Sequence, residues 1–130
     1  MNTSLTEVVA GIIRHNGQYL ITKRFDNAHL GGMWEFPGGK IMKGESEKIA
    51  LQREIKEEVG VDCSVGKLVY ETSYHYPDIS IKIKFYQCKL LSGEPQPLEC
   101  AAVKWIEPSE LSQYEFPPSD IKLIQILSVG

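Results

Sequence analysis

Apolar and polar residues alternate along several stretches of this chain, and a period of two is typical of half-buried β-strands. Between Ser80 and Lys89, the apolar Ile81, Ile83 and Phe85 alternate with two lysines and a tyrosine. That segment is therefore predicted to form a strand with one buried face. Further strands are predicted over 7–14, 18–23, 34–37 and 103–106, and the Asn-Gly pair between the first two predicts a hairpin turn.

A period close to four indicates helices. Leu51, Ile55 and Val59 lie four residues apart, which predicts an amphipathic helix from about Ser46 to Val59, and Gly60 is suited to end it. Residues 25–32 and the Gly-Gly pair at 38–39 are predicted to be a loop and a turn. A helical turn is predicted over 108–112, and a C-terminal amphipathic helix over 119–127. The sum is an α/β (α+β) chain in which strands outnumber helices.

Length and composition narrow the class of protein. The chain has 130 residues, 42% apolar and 24% charged, which suits a single globular domain over 1–130. No apolar run is long enough to span a membrane, and the first residues lack the pattern of a secretory signal. The net charge of −3, without a basic block, argues against binding long nucleic acid.

The cysteines give an expectation about the compartment. Cys63, Cys88 and Cys100 lack metal-ligand spacing, and three cysteines cannot all pair within one chain. A reducing cytoplasm is therefore the expected location. We expect a monomer, with a dimer as the alternative.

Three carboxylates stand out on the predicted helix. Glu54, Glu57 and Glu58 lie at i, i+3 and i+4, so they share one helical face. Like charges at this spacing cost stability, whereas a divalent cation would reverse the sign of the interaction. The alternative, a solvated charged helix stabilised by lysine pairs, leaves the carboxylates unbalanced, since Lys56 cannot offset all three. The pattern therefore favours a site for hard metal ions.

The surroundings of these carboxylates resemble a known signature. Gly39, Glu45 and the segment 53–61 fit G-x5-E-x7-R-E-U-x-E-E-x-G-U, the Nudix box, at nine constrained positions within 23 residues. Further segments resemble the MutT branch of that family, and together they extend over nearly the whole chain: 11–14, 22–24, 28–29, 35–40 and 116–118.

The resemblance implies a fold and a reaction. The fold would be a mixed β-sheet sandwiched between helices. The reaction would use Mg²⁺ or Mn²⁺ and a water that attacks the β-phosphate of a nucleoside triphosphate, giving a monophosphate and pyrophosphate. Glu57 and Glu58 would be the principal metal ligands, Glu54 a ligand or the general base, and the Gly39 carbonyl a backbone ligand.

Other residues receive roles from the same resemblance, each with a plainer alternative. Arg53 and Glu45 would orient the box carboxylates. Arg24 would contact phosphate, or else form a surface salt bridge. Glu99 would assist as a metal ligand or base, or else be a solvated carboxylate in a loop.

In the expected base pocket, the chain resembles two groups of relatives that differ in substrate. The pocket would be lined by Phe36, by a strand edge at 76–79 and by the start of the last helix. Tyr76 could stack on a base or fill the core. MutT has asparagine after Phe-Pro-Pro-Ala at the helix start, whereas this chain has Asp120 after Ser119, and related CTP pyrophosphohydrolases have Ala-Asp. An ionised aspartate only accepts hydrogen bonds, so it would face donors such as the cytosine amino group, or else cap the helix.

The leading hypothesis is a Mg²⁺-dependent pyrophosphohydrolase of oxidised or non-standard nucleoside triphosphates such as 8-oxo-dGTP. One alternative is hydrolysis of (deoxy)CTP or 5-methyl-dCTP. Another is a non-catalytic nucleotide-binding module, although no box position is degenerate. Other nucleoside-diphosphate-linked substrates also stay open, because the box specifies phosphates and metal rather than the attached group. His15, His29 and His75 are predicted to be surface or loop residues, and Trp34 a packing residue.

Overall fold

The fold consists of seven strands and two α-helices within residues 5–129, the part of the chain that the computed structural model describes. Short 3₁₀ segments at Pro108–Gln113 and Pro118–Asp120 precede the last helix. The element bounds in chain order are β1 Leu5–His15, β2 Gln18–Lys23, β3 Trp34–Glu35, β4 Gly38–Lys40, α1 Glu47–Val59, β5 Asp62–His75, β6 Ser80–Ser92, β7 Ala102–Ile106 and α2 Ile121–Leu127.

Strand β1 is the centre of a mixed sheet. It runs parallel to β6 and antiparallel to β2 and β4, and the main order is β3-β2-β1-β6-β5, with β7 added on β2. The parallel pairing joins Leu5 to Ser80 and Ile13 to Cys88. The mixed sheet that the family resemblance implies is therefore confirmed.

The alternation of side chains along β1 divides the core into two layers. Val9 and Ile13 point to one face, where they pack with Leu51 and the rest of the buried stripe of α1. Ala10 and Ile12 point to the other face, where they pack with α2 and the 3₁₀ segments. The sheet thus lies between α1 and α2, as expected.

Local sequence signals explain how several elements begin and end. Asn16 and Gly17 both have positive φ, 51° and 77°, and form the predicted hairpin turn between β1 and β2. The Ser46 side chain caps α1 by accepting a hydrogen bond from the Ile49 N–H. Gly60 ends α1 in the left-handed conformation, with φ 75°.

Three sequence predictions need correction. Residues 38–39 belong to β4, which pairs with β1, rather than to a turn. Residues 76–79 form the turn between β5 and β6, rather than a strand edge. The last α-helix begins at Ile121, because 118–120 form a 3₁₀ turn.

Strand β5 was not predicted at all. It covers fourteen residues at an edge of the sheet, and most of its side chains are exposed. Bulges between Val65 and Tyr70 break its register with β6. The period-two pattern is lost at such bulges, so the sequence carries little signal there.

Two further observations bear on the class of protein. Among residues 5–129, no helix is long and apolar enough to cross a membrane. The three cysteines are buried free thiols. The single-domain organisation, the cytoplasmic location and the monomeric state remain predictions.

Candidate active site

Arg53 holds three box carboxylates together. Its Nε and Nη2 donate to the two oxygens of Glu45 at 2.6 and 2.8 Å, in the paired geometry typical of arginine and carboxylate. Its Nη1 donates to Glu54 Oε1 at 3.0 Å and to Glu57 Oε1 at 2.9 Å. The contacts agree with the orienting role expected for Arg53 and Glu45.

Glu45 is a fixed anion. The Arg53 hydrogen bond is the largest cause that lowers its pKa, to about 2, and the Met42 N–H adds a second hydrogen bond at 2.9 Å. The same contacts raise the pKa of Arg53 above its ordinary value. Glu45 therefore stays ionised at any physiological pH and keeps Arg53 in place.

Glu58 lies in a different environment, on the buried side of α1. Its side chain accepts a hydrogen bond from the Gly38 N–H at 3.1 Å. Its pKa is raised to about 8, mainly by burial and also by the Glu35 charge. The Gly38 hydrogen bond opposes this shift. Without a cation, this carboxylate would be largely protonated near pH 7.

Glu54 extends its side chain from α1 toward β4. A Cβ added at Gly39 would overlap the Glu54 carboxylate, so only glycine lets the side chain approach the backbone this closely. Burial raises the pKa of Glu54, Arg53 opposes that change, and the charges of Glu57 and Glu99 add to it. The four residues therefore share one electrostatic environment.

Glu57 and Glu99 form the exposed side of this cluster. The Glu99 N–H donates to the Glu58 carbonyl at 3.1 Å, and so does the Leu98 N–H, which ties the 93–101 loop to the end of α1. This contact brings Glu99 near the box carboxylates. It leaves both expected roles of Glu99 open.

The donor set suits a divalent cation. Carboxylate and carbonyl oxygens are the ligands that Mg²⁺ and Mn²⁺ prefer. Burial raises the pKa of Glu58 and of Glu54, because it disfavours their ionised forms. A bound cation would offset that negative charge. Within residues 5–129, however, no three acidic, histidine or cysteine side chains converge closely enough to form a ready metal site, since Arg53 holds the Glu45, Glu54 and Glu57 oxygens.

A cavity of about 310 Å³ opens beside the cluster. Its floor is the β1–β6 face, and Gly38 and Gly39 lie at the end nearest the box carboxylates. Asp120 and Tyr76 lie among its walls. The remaining lining residues are Thr6, Val8, Val9, Ala10, Arg24, His29, Leu30, Glu35, Phe36, Lys40, Ile79, Ile81, Ile83, Phe85, Pro117 and Ser119.

Arg24 has features of both of its expected roles. Its Nη1 donates to the two oxygens of Glu35 at 3.0 and 3.1 Å, and its Nε donates to the His29 carbonyl at 2.6 Å. The pair is half-buried rather than on the open surface. Arg24 also lines the cavity, as a phosphate contact would require.

His29 joins two segments over the cavity. Its Nδ1 lies 2.7 Å from the Asp78 carboxylate, and its ring meets the Tyr76 ring edge-on at 5.1 Å between centroids. His29 was predicted to be a surface or loop residue, and Asp78 was not singled out. Contacts between residues 49 positions apart leave no local pattern in a sequence.

Asp120 is almost fully buried, with 3% of its surface exposed. It stands at the start of α2, yet its side chain makes no capping hydrogen bond, so the capping alternative is wrong in this structure. Its pKa is raised to about 7, mainly by burial and also by the Glu35 charge. The hydrogen bond from the Ser119 hydroxyl opposes this shift. Tyr76 is half-buried at the cavity wall rather than in the core, so the core-filling alternative is also wrong.

Four further residues lie where the sequence predicted them. Phe36 is buried against Phe116 and lines the cavity, as expected for the pocket. His15 and His75 are exposed, and Trp34 packs edge-on against a tyrosine.

Comparison with known proteins decides the family. The model of the NUDIX domain matches residues 8–125. The chain belongs to the NUDIX family. It is a MutT-like Nudix hydrolase, since relatives named for diphosphatase activity resemble it over most of their length.

Two relatives illustrate this Nudix group. The chain is 36% identical over 128 residues to the 8-oxo-dGTP diphosphatase of Haemophilus influenzae, covering 98% of this chain and 94% of the relative. It is 35% identical over 121 residues to the CTP pyrophosphohydrolase of Escherichia coli, covering 93% and 90%. The two relatives are named for different substrates, and the chain is similar to both over most of its length.

Solved structures agree with the fold. The E. coli ORF135 protein superimposes with a TM-score of 0.80 at 34% identity, covering 95% of this chain and 88% of that one. The MutT protein of Methanosarcina mazei gives a TM-score of 0.88 at 20% identity, covering 99% and 96%, which supports the Nudix fold alone.

Proposed function

We propose that this Nudix hydrolase is a Mg²⁺- or Mn²⁺-dependent nucleoside triphosphate pyrophosphohydrolase that acts on oxidised or non-standard nucleotides such as 8-oxo-dGTP. The products would be the nucleoside monophosphate and pyrophosphate. One observation carries the proposal: the cavity lined by the buried Asp120 ends at Gly38 and Gly39, and these two glycines contact the carboxylates of Glu58 and Glu54. A triphosphate with its base could lie along this cavity.

The residues that would hold the cation are Glu54, Glu57, Glu58 and the Gly39 carbonyl, with Glu99 beside them. When bound, the cation would neutralise phosphate charge and lower the pKa of the attacking water. Glu54 or Glu99 would accept the proton of that water. Glu54 is suited to this role because burial raises its pKa toward the working pH.

Two cationic side chains line the phosphate side of the cavity. Arg24 is half-buried, and its guanidinium donates hydrogen bonds to Glu35. Lys40 is the last residue of β4. They would offset part of the charge of a triphosphate, which a chain of net charge −3 would otherwise repel. Since Arg24 already pairs with Glu35, it would present its remaining N–H donors to phosphate.

The apolar part of the cavity suits a nucleobase. Ile81, Ile83 and Phe85 of β6 provide a flat floor, and the Tyr76 ring stands at the wall. Asp120 would read the base edge. With its pKa near 7, this carboxyl can be protonated and then donate to the O6 acceptor of 8-oxoguanine.

A second candidate substrate is (deoxy)CTP or 5-methyl-dCTP. The observation that favours it is the same side chain in its ionised form, since a carboxylate can accept from the cytosine amino group and offers no donor to 8-oxoguanine. The similarity to a CTP pyrophosphohydrolase supports it as well. Comparing kcat/KM for 8-oxo-dGTP, dGTP, dCTP and 5-methyl-dCTP with Mg²⁺ would rank the two. Release of no pyrophosphate from any triphosphate would refute the proposal, and tight binding without hydrolysis would indicate a nucleotide-binding module.

A single substitution tests the proposed metal ligand. Glu57→Gln keeps the shape of the side chain but removes its charge, and we expect kcat to fall by about 10²-fold or more with little change in stability, because Glu57 is exposed. Glu94→Gln, at an exposed carboxylate that makes no side-chain hydrogen bond within residues 5–129, is the matched control and should keep full activity. Equal activities of the two variants would remove Glu57 from the site.

A further inference from the structure

Three side chains connect the turn at Tyr76 to the buried carboxyl of Asp120. The Tyr76 hydroxyl donates to Ser119 Oγ at 3.2 Å, and the Ser119 hydroxyl donates to Asp120 Oδ1 at 2.8 Å. The Ser119 N–H donates to the Tyr76 hydroxyl at 3.4 Å. Ser119 and Asp120 are both buried, with 5% and 3% of their surfaces exposed. The Ser119–Asp120 hydrogen bond is therefore shielded from water, whereas the Tyr76 hydroxyl is half-buried.

The number of protons sets the direction of the chain. A hydroxyl has one proton to donate, and the tyrosine hydroxyl already accepts from the Ser119 N–H. The tyrosine proton therefore goes to Ser119 Oγ, and the serine proton goes to Asp120 Oδ1. Oδ1 is thereby used as an acceptor, and a proton added to the carboxyl goes to Oδ2 as long as Ser119 donates to Oδ1.

The other oxygen of Asp120 is left for a ligand. Among residues 5–129, no side-chain or backbone donor forms a hydrogen bond with Oδ2, and Asp120 lines the cavity. Oδ2 is therefore the oxygen of this carboxyl that a ligand in the cavity can reach.

Besides Asp120 and Tyr76, the ionisable side chains that line the cavity are Arg24, His29, Glu35 and Lys40, and His29 Nε2 is buried without a hydrogen-bond partner among residues 5–129. Glu35 forms a salt bridge with Arg24, and His29 Nδ1 forms a hydrogen bond with the Asp78 carboxylate. Lys40 lines the end of the cavity at β4. Glu35 is the one carboxylate whose charge acts on Asp120, and it opposes ionisation.

We propose that Ser119 and Tyr76 are positioning residues for nucleobase selection, because their relay fixes Oδ1 as an acceptor and presents Oδ2 alone to the base. The inference rests on the proposed function, since it assigns the selection step of the same cavity. Oδ2 accepts from amino-bearing edges such as that of cytosine when the carboxyl is ionised. When the carboxyl is protonated, Oδ2 donates to an acceptor such as O6 of 8-oxoguanine.

The test is binding of nucleoside monophosphates without metal. Calorimetry with CMP and 8-oxo-dGMP in EDTA, from pH 5.5 to pH 8.5, gives the ratio of the two affinities at each pH. For the unmodified protein, we expect the ratio to shift in favour of CMP as pH rises. Ser119→Ala removes the hydrogen bond that stabilises the carboxylate, so the midpoint of this change should move to higher pH by about one unit.

Two further variants make the result specific. Ser119→Thr keeps a hydroxyl at the same position and should keep the original midpoint. Tyr76→Phe keeps the aromatic ring but removes the phenol proton, and should shift the midpoint in the same direction as Ser119→Ala by a smaller amount. If Ser119→Ala does not fold, the shift of the midpoint in Tyr76→Phe alone tests the inference.

An affinity ratio that does not change with pH, or a midpoint that stays in place in both Ser119→Ala and Tyr76→Phe, would overturn the inference. Monophosphate binding needs neither metal nor hydrolysis. Failure of pyrophosphate release would therefore defeat the proposed reaction without affecting this result, and the reverse also holds.

Discussion

Single residues fix the positions of the reactive groups in this protein. Arg53 collects Glu45, Glu54 and Glu57, and Gly39 gives Glu54 its place against the backbone. Because these contacts join residues of one helix to the loop before it, their spacing is visible in the sequence. The burial of Asp120 depends on packing between distant segments, so neither its raised pKa nor its missing cap could be predicted.

The close contact at Gly39 leads to a prediction. In Gly39→Ala the new Cβ would meet the movable end of the Glu54 side chain rather than backbone, so the fold should persist while the carboxylate is displaced. We expect kcat/KM to fall by about tenfold to 10²-fold, with the Tm changed by only a few degrees.

Gly66→Ala is the matched control for this prediction. Gly66 lies in the exposed part of β5, where a Cβ comes no closer than 3.2 Å to the Gln87 carbonyl. This variant should keep its activity. An unchanged kcat/KM in Gly39→Ala would show that the position of Glu54 does not limit the reaction.

At the scale of elements, α1 serves two purposes on two faces. One face places Leu51, Ile55 and Val59 in the core, and the other carries Glu54 and Glu57, with Glu58 buried at the boundary. A period near four encodes both faces, which is why α1 was predicted closely. Strand β4 was not, because Gly38 and Gly39 are typical of turns, and only the approach of β1 makes them a strand.

The buried face of α1 can be tested separately from its reactive face. Leu51→Ala leaves a cavity in a fully buried layer and should lower the free energy of unfolding by about 2–5 kcal/mol. Ile49→Ala on the same helix removes an exposed side chain and should cost less than about 1 kcal/mol. Urea denaturation measures both. Similar losses for the two variants would mean that α1 contributes to stability evenly around its surface.

The whole molecule brings the two halves of the site together by placing α1 and α2 on opposite faces of one sheet. The box carboxylates belong to the first half, and Asp120, at the start of α2, belongs to the second. Sequence patterns predicted the helices and most strands. The parallel pairing of β1 with β6, which builds the cavity floor, joins segments too far apart for any local pattern.

The buried Asp120 makes stability depend on pH. Its pKa is about 7 in the folded protein and close to the ordinary 3.8 when unfolded, so between these values the folded state binds more protons. Its contribution to stability is therefore present below about pH 4 and lost as pH rises through 7. In Asp120→Asn this contribution to the pH dependence is absent.

We therefore expect the unmodified protein to lose stability relative to Asp120→Asn between pH 5 and pH 8, by about 1 kcal/mol or more. Urea denaturation in metal-free buffer, with Glu94→Gln as the exposed control, measures the difference. Parallel stability curves for the unmodified protein and Asp120→Asn would show that the carboxyl does not change its protonation in this range.

The pairing of β1 with β6 also determines the order in which binding becomes possible during folding. Leu5 meets Ser80, so the first strand of the chain cannot take its place until β6 has been synthesised and has reached it. Contacts this distant in sequence close slowly, because the intervening chain loses entropy before they form. The cavity floor is made by these two strands, and therefore it is absent from any partly folded chain that lacks their pairing. Under the proposed function, nucleotide binding would then report that β1 and β6 have paired.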